Sequence, residues 1–162
     1  MKIRSGFVSN SSSSSFIVIG TATPKDIAKL RGQWGGKKDL IIIPDLGCHQ
    51  FGWESTKYTH FWDRVFFAWI QAASMQKKRE KGGRPEWMRM LNKVLKNKLK
   101  VKNIYWNGVS LNFNEETKDW CYIDHQSAAI EGRNTEMFES EEALINFLFA
   151  SDSYIQGGND NE

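Results

Sequence analysis

Cysteine is scarce in this 162-residue chain, with Cys48 and Cys121 as the only two. Two thiols cannot build a disulfide framework, so in a reducing compartment both are expected to be free. Histidine is nearly as scarce: His49, His60 and His125 are the full set, which excludes a histidine-rich site. Cys48-His49 and Cys121 with His125 supply four donors of the right type. Adjacent Cys-His pairs and a Cys-x₃-His spacing match no structural-zinc framework, however, and no metal is expected. No apolar run approaches the roughly 18 residues of a membrane helix. The start Met1-Lys2-Ile3-Arg4 is basic, but serines stand where a signal peptide has its apolar stretch. Residues 16–19 are too short to replace that stretch. The expectation is a cytoplasmic protein with no membrane partner. No Walker glycines and lysine follow the serine run, which excludes a standard P-loop.

What is present is enough apolar material for one domain. The chain is 40% hydrophobic and 13% aromatic, with seven tryptophans and ten phenylalanines, far from the composition of a disordered segment. Net charge is only +3, and that total conceals an asymmetry. Residues 77–102 carry eleven basic side chains against Glu80 and Glu86, whereas residues 103–162 carry twelve acids against Lys118 and Arg133. A basic middle and an acidic end attract each other, within a monomer or between subunits, unless each is ordinary solvated surface.

Residues 16–19 read as a buried strand closed by Gly20. Thr23-Pro24-Lys25-Asp26 is a helix start: Thr23 caps, Pro24 takes the first helical position and Asp26 meets the positive end of the helix. Gly32 and Gly35-Gly36 stop that helix, and Leu40-Ile41-Ile42-Ile43 reads as a second buried strand ended by Pro44. The order strand, helix, strand predicts a β-α-β unit. A long helix is predicted from Thr56 to about Lys81, because Tyr58, Trp62, Val65, Phe66, Trp69 and Ala73 recur at three and four. Those rings read as core, in preference to a seat for a flat aromatic ligand. Pro85 opens a helix to about Leu99, buried along Trp87, Met88, Leu91, Val94 and Leu95, with Arg89, Lys93, Lys96 and Lys100 on its basic side. Strands are predicted at 101–106 and 109–113 around an Asn107-Gly108 hairpin turn, and at 120–123. Ser140 caps a last helix carrying Leu144, Ile145, Leu148 and Phe149. The expected fold is α/β or α+β: one small domain over residues 1–150, with a mixed sheet of about four or five strands against a long aromatic-rich helix and three shorter ones. Residues 151–162 read as a polar C-terminal tail that either hangs free or docks.

Three groups of residues could carry chemistry. Residues 9–15, all polar between apolar flanks, could hold an anion on hydroxyls and successive N–H groups. The bland alternatives are a strand connection, an alternating strand with outward serines, or a processing site. His125 past a predicted strand end could move a proton, with Asp124 beside it, although neighbours on a strand point oppositely and only a turn would let Asp124 orient it. Lys93, Lys96 and Lys100 could meet a phosphate backbone, which a near-neutral domain favours less than a wholly positive one. No cofactor follows from any of them, and no catalytic arrangement is specific enough to name a reaction. A protein-interaction or self-association role therefore leads. A small-ligand or nucleotide-binding enzyme using the serine loop and His125, and a nucleic-acid-binding protein using residues 77–102, stand behind it.

Arg4-Ser5-Gly6-Phe7-Val8-Ser9-Asn10, Ser11 to Ser15 and Phe16 resemble the opening of many small uncharacterised proteins of bacteria and their large tailed phages. Tyr122-Ile123-Asp124-His125-Gln126-Ser127 looks like a second motif of that group. Phe147-Leu148-Phe149, Ser153 and Gly158-Asn159-Asp160-Asn161 look like its closing one, departing from it by Gln156-Gly157 before Gly158. Together they cover about a quarter of the chain. The resemblance implies a phage or bacterial accessory protein, in the host cytoplasm if phage-encoded. It also implies a shared site around Asn10, Ser11, Ser12, Ser13, Asp124, His125, Asn159 and Asp160. It implies no activity.

Overall fold

The computed structural model describes residues 3–5, 13–42, 50–51, 56–77, 85–106, 122–123 and 134–159. In chain order these form β1 (Ile3–Ser5), β2 (Ser13–Ile19), α1 (Pro24–Trp34), β3 (Asp39–Ile42), β4 (Gln50–Phe51) and β5 (Lys57–Tyr58). Then come α2 (Phe61–Lys77), α3 (Pro85–Leu99), β6 (Asn103–Trp106), β7 (Tyr122–Ile123), a 3₁₀ turn (Glu136–Phe138), α4 (Glu141–Phe149) and β8 (Tyr154–Asn159). This is a mixed α/β domain. The expected mixture of strand directions is distributed over an antiparallel sheet in the order β1-β2-β8-β5 and two parallel pairs, β3-β6 and β4-β7.

The predicted helix signals act as their chemistry requires. Thr23 and Asp26 form a reciprocal capping box at α1, with Pro24 just inside. The Ser140 hydroxyl accepts from the Ala143 N–H at the start of α4. Central to the core is α2, whose Val65, Phe67, Ala68 and Ala72 are fully buried. Phe67 meets Phe51 edge-on, with ring centroids 5.1 Å apart, and Phe147 at 6.3 Å. Trp106 of β6 stacks on Trp69 at 5.6 Å and donates from its indole nitrogen to Asn92, so β6 sits on α2 and α3.

Two of the expectations about these elements are corrected. The segment before α1 and the one after it do not make a β-α-β unit: β2 pairs antiparallel with β1 and β8, while β3 pairs in parallel with β6. Register explains the choice, since β8 sets the fully buried Ile155 opposite the fully buried Ile17. Within the polar C-terminal segment, Tyr154–Asn159 is a strand inside the sheet, between β2 and β5. Its glycines carry no apolar signal, yet their backbone fills the ladder, and the Gly157 N–H also donates to the Thr56 carbonyl at 2.8 Å. Finally, Lys57–Tyr58 is a strand and α2 begins at Phe61. Tyr58 is buried as a strand residue, so an apolar residue at helical spacing could not by itself place the start. The Asn107-Gly108 hairpin and the strand at 109–113 lie outside the described residues.

Gly32 does not stop α1 as expected but sits inside it, and a Cβ there would meet nothing within 4 Å. Gly32→Ala is therefore expected to raise stability by about 0.5–1 kcal/mol by removing the backbone freedom of the unfolded chain. Urea denaturation checks this, and a lower midpoint for the alanine variant would contradict it.

Candidate functional site

Of the residues singled out for a shared site, Ser13 and Asn159 are brought together. They are register partners at the end of the β2–β8 pair, followed by Ser14↔Gly158 and Ser15↔Gly157. The opening and closing segments of the resemblance are thus adjacent strands. The serines 13–15 belong to a strand, one of the bland alternatives for that run. Asn10, Ser11, Ser12, Asp124, His125 and Asp160 lie outside the described residues, as do Cys48, His49 and Cys121. Among the described residues no three His, Cys, Asp or Glu side chains are placed to hold a metal ion, and no helix is long and apolar enough to cross a membrane.

The lysine stripe on α3 divides. Lys93 is ion-paired with Glu141 at the start of α4, so basic middle and acidic end do meet within the chain. Both side chains are largely exposed, and such a pair contributes at most about 1 kcal/mol. Lys96 stays on the side of α3. Lys100 follows the helix end at a positive φ of 57° and joins a different group.

That group arises from the parallel β3–β6 register, which brings both lead-in segments to the same end. The N–H groups of Lys102 and Asn103 both donate to the Lys38 carbonyl at 3.1 Å. Lys37, Lys38, Lys100 and Lys102 are consequently neighbours, all exposed and none in an ion pair among the described residues. The acid beside them, Asp39, accepts from the Asn103 side-chain amide at 2.7 Å. Lysines near the end of α3 partly serve to offset its dipole. Lys37, Lys38 and Lys102 stand beyond that helix, and their charges face solvent.

Next along the same two strands, Ile41 and Tyr105 are register partners. They are 60% and 53% exposed, whereas Leu40 and Ile42 point into the core. The apolar run 40–43 reads as a strand buried on both faces, but β3 alternates, and its outward face carries an isoleucine beside a tyrosine. Neither residue nor the lysine pair at 37–38 stood out in the sequence. A continuous apolar run hides which side will be covered, and a parallel register has no local signature.

A second feature is a cleft of about 360 Å³ where α1, the start of α2 and the end of α4 meet. Trp34, Phe61, Trp62 and Phe149 supply apolar walls, and Asp26, Lys29, His60 and Arg64 are among its polar ones. Trp34 and Trp62 meet edge-on at 5.3 Å. The Thr23 hydroxyl and N–H hold the Asp26 carboxyl below the usual carboxylate range. Arg64, only 3% exposed, donates from Nη1 to the carbonyls of Thr59 (3.0 Å) and Ser153 and from Nη2 to that of Leu148 (2.8 Å). Burial pulls its pKa down to about 10 against the charges of Asp63, Asp152 and Asp26, so it remains a cation at neutral pH.

No family model matches the chain, and neither a curated protein nor a solved structure does.

Proposed function

We propose that this chain is a protein-interaction module that docks an acidic polypeptide on the outward face of the β3–β6 pair. One observation carries the reading: Ile41 and Tyr105, the exposed large apolar side chains among the described residues, are register partners beside four exposed lysines that form no ion pair among those residues. Covering each apolar side chain is worth about 1.5–3 kcal/mol at most. The lysines add long-range attraction for an acidic partner and speed the encounter. A nucleic acid would use the lysines and stack on Tyr105, but would gain little from Ile41. A polypeptide brings apolar side chains of its own. The resemblance to phage and bacterial proteins fits such an accessory role in a bacterial cytoplasm.

The test is fluorescence anisotropy with a labelled peptide alternating glutamate and leucine, beside a single-stranded oligonucleotide of equal charge. The peptide is expected to bind, to weaken as salt rises, and to lose about tenfold or more in affinity in the Ile41→Ser/Tyr105→Ser variant. Equal binding by that variant, or binding of the oligonucleotide alone, overturns the reading. The second outcome would favour nucleic acid.

A further inference from the structure

We propose that the cleft between α1, α2 and the end of α4 is a binding site for a planar aromatic molecule carrying a carboxylate or phosphate. The inference is independent of the β3–β6 face and starts from an anomaly in α1. Its Ile27, Leu30 and Trp34 share one side, yet α1 has no buried residue. A helix with an apolar side ordinarily gains about 25 cal/mol for each Å² of that side taken from water. Here the gain is only partly realised.

The reason is how α1 is held. Just before its start, the Ala22 N–H donates to the Asn146 side chain at 2.9 Å. At its end, Arg31 Nε donates to the Lys98 carbonyl at 2.8 Å, and the Gly36 N–H to the Leu99 carbonyl at 3.2 Å. Fixed at both ends, α1 meets α2 through the edge-on contact of Trp34 with Trp62 at 5.3 Å, and the space beside that contact is left open. The cleft opens along Leu30 and Trp34 on one side and Phe61 and Trp62 on the other. At about 360 Å³ it lies at the small end of the roughly 300–1,000 Å³ range of ligand pockets. Its aromatic walls suit a flat ring, since each well-placed ring pair adds about 0.5–1.5 kcal/mol beyond burial. Trp62 belongs to the aromatic series of α2 but, unlike Phe61 and Val65, is only half-buried.

Charge selects the ligand's sign. Lys29 is exposed on the cleft wall and forms no ion pair among the described residues. Arg64 is a second, buried cation, and the first turn of α2 adds the positive end of a helix dipole. Against them stand Asp152 and Asp26, whose charges act on Arg64; the Asp26 carboxylate already accepts from the Thr23 N–H at 2.9 Å and the Thr23 hydroxyl at 2.7 Å. Asp63, in the first turn of α2, accepts from the His60 N–H. A cationic ring would approach Lys29 unfavourably, whereas an anionic one gains a charge-assisted bond to it.

The experiment follows the tryptophan indole N–H signals of the ¹⁵N-labelled full chain, with those of Trp34 and Trp62 assigned from Trp34→Phe and Trp62→Phe. The probes are indole-3-acetate and adenosine monophosphate as anions, and tryptamine as the cation. At least one anion is expected to shift the Trp34 and Trp62 signals saturably at millimolar concentration and to leave those of Trp69 and Trp106 in place. Whichever anion binds more tightly tells carboxylate from phosphate. Lys29→Gln, at an exposed position, should weaken it about tenfold, while Ile41→Ser/Tyr105→Ser should not change it. Tryptamine binding as tightly as either anion, unchanged affinity in Lys29→Gln, or no saturable shift with any probe would overturn the proposal.

Discussion

Replacing Arg64 by methionine is expected to cost about 3–5 kcal/mol of stability, a fall in melting temperature on the order of 10 °C for a domain of this size. The side chain is 3% exposed, and its guanidinium bridges three carbonyls from separate parts of the chain. Leu148 lies in the last turn of α4, Ser153 in the turn before β8, and Thr59 just ahead of α2. The carbonyls ending a helix have no partner within it, and a cation there also meets the negative end of the dipole. Methionine would leave these acceptors without their donor, at about 1–3 kcal/mol for each that water cannot reach. Asp63, Asp152 and Asp26 would also lose the cation that their charges favour. Lysine restores charge but not the planar fork that reaches two directions at once, so Arg64→Lys should recover only part of the loss. Urea denaturation decides the matter: a methionine variant with the wild-type midpoint would show that Arg64 does not brace this junction.

Gly35→Ala should cost about 3 kcal/mol, at the upper end of the usual range for overpacking. A Cβ there would lie 2.2 Å from the Leu99 carbonyl oxygen and 2.6 Å from that of Arg31, both backbone atoms at helix ends. Its φ of −89° suits any residue, so the cost is steric and falls on the docking of α1 against α3. The neighbouring Gly36 is glycine for the opposite reason. Its φ is +74° and a Cβ would meet nothing, so Gly36→Ala should cost only about 1–2 kcal/mol of left-handed backbone strain. Denaturation midpoints for the two variants check the order, and a larger loss at Gly36 would refute the steric account. The α1–α3 junction also brings together the lead-ins of β3 and β6 and fixes one end of the cleft. Gly35→Ala should therefore disturb both surfaces, and Gly36→Ala much less.

Much of the fold was legible where the signal is local. Thr23-Pro24-Asp26 and Ser140-Glu141-Glu142 place their helix starts within a few residues because capping is a contact between near neighbours. The period of three and four along Val65, Phe66 and Trp69 identifies α2 as the core helix. Residues 154–159 were not legible as a strand, because glycine and glutamine give no period and the ladder is made by backbone alone. The candidate surfaces were less legible still. Lys93 looks like part of an open basic stripe until Glu141 is brought to it from 48 residues away. Lys37 and Lys38 look like ordinary loop charges until β6 lays Lys102 beside them.

By itself, then, the chain determined a mixed α/β domain, the starts of α1 and α4, the aromatic core helix and the apolar strand at 16–19. Each depends on spacing or on contacts within about one turn of chain. Only the tertiary structure decided that β8 enters the sheet beside β2, that β3 takes β6 as its partner, and that Ile41 and Tyr105 face outward. It also decided that Trp34 of α1 meets Trp62 beside an open cleft. Those outcomes depend on which distant surfaces bury the most apolar area while satisfying every backbone group, and that sum is made only when the whole chain is folded.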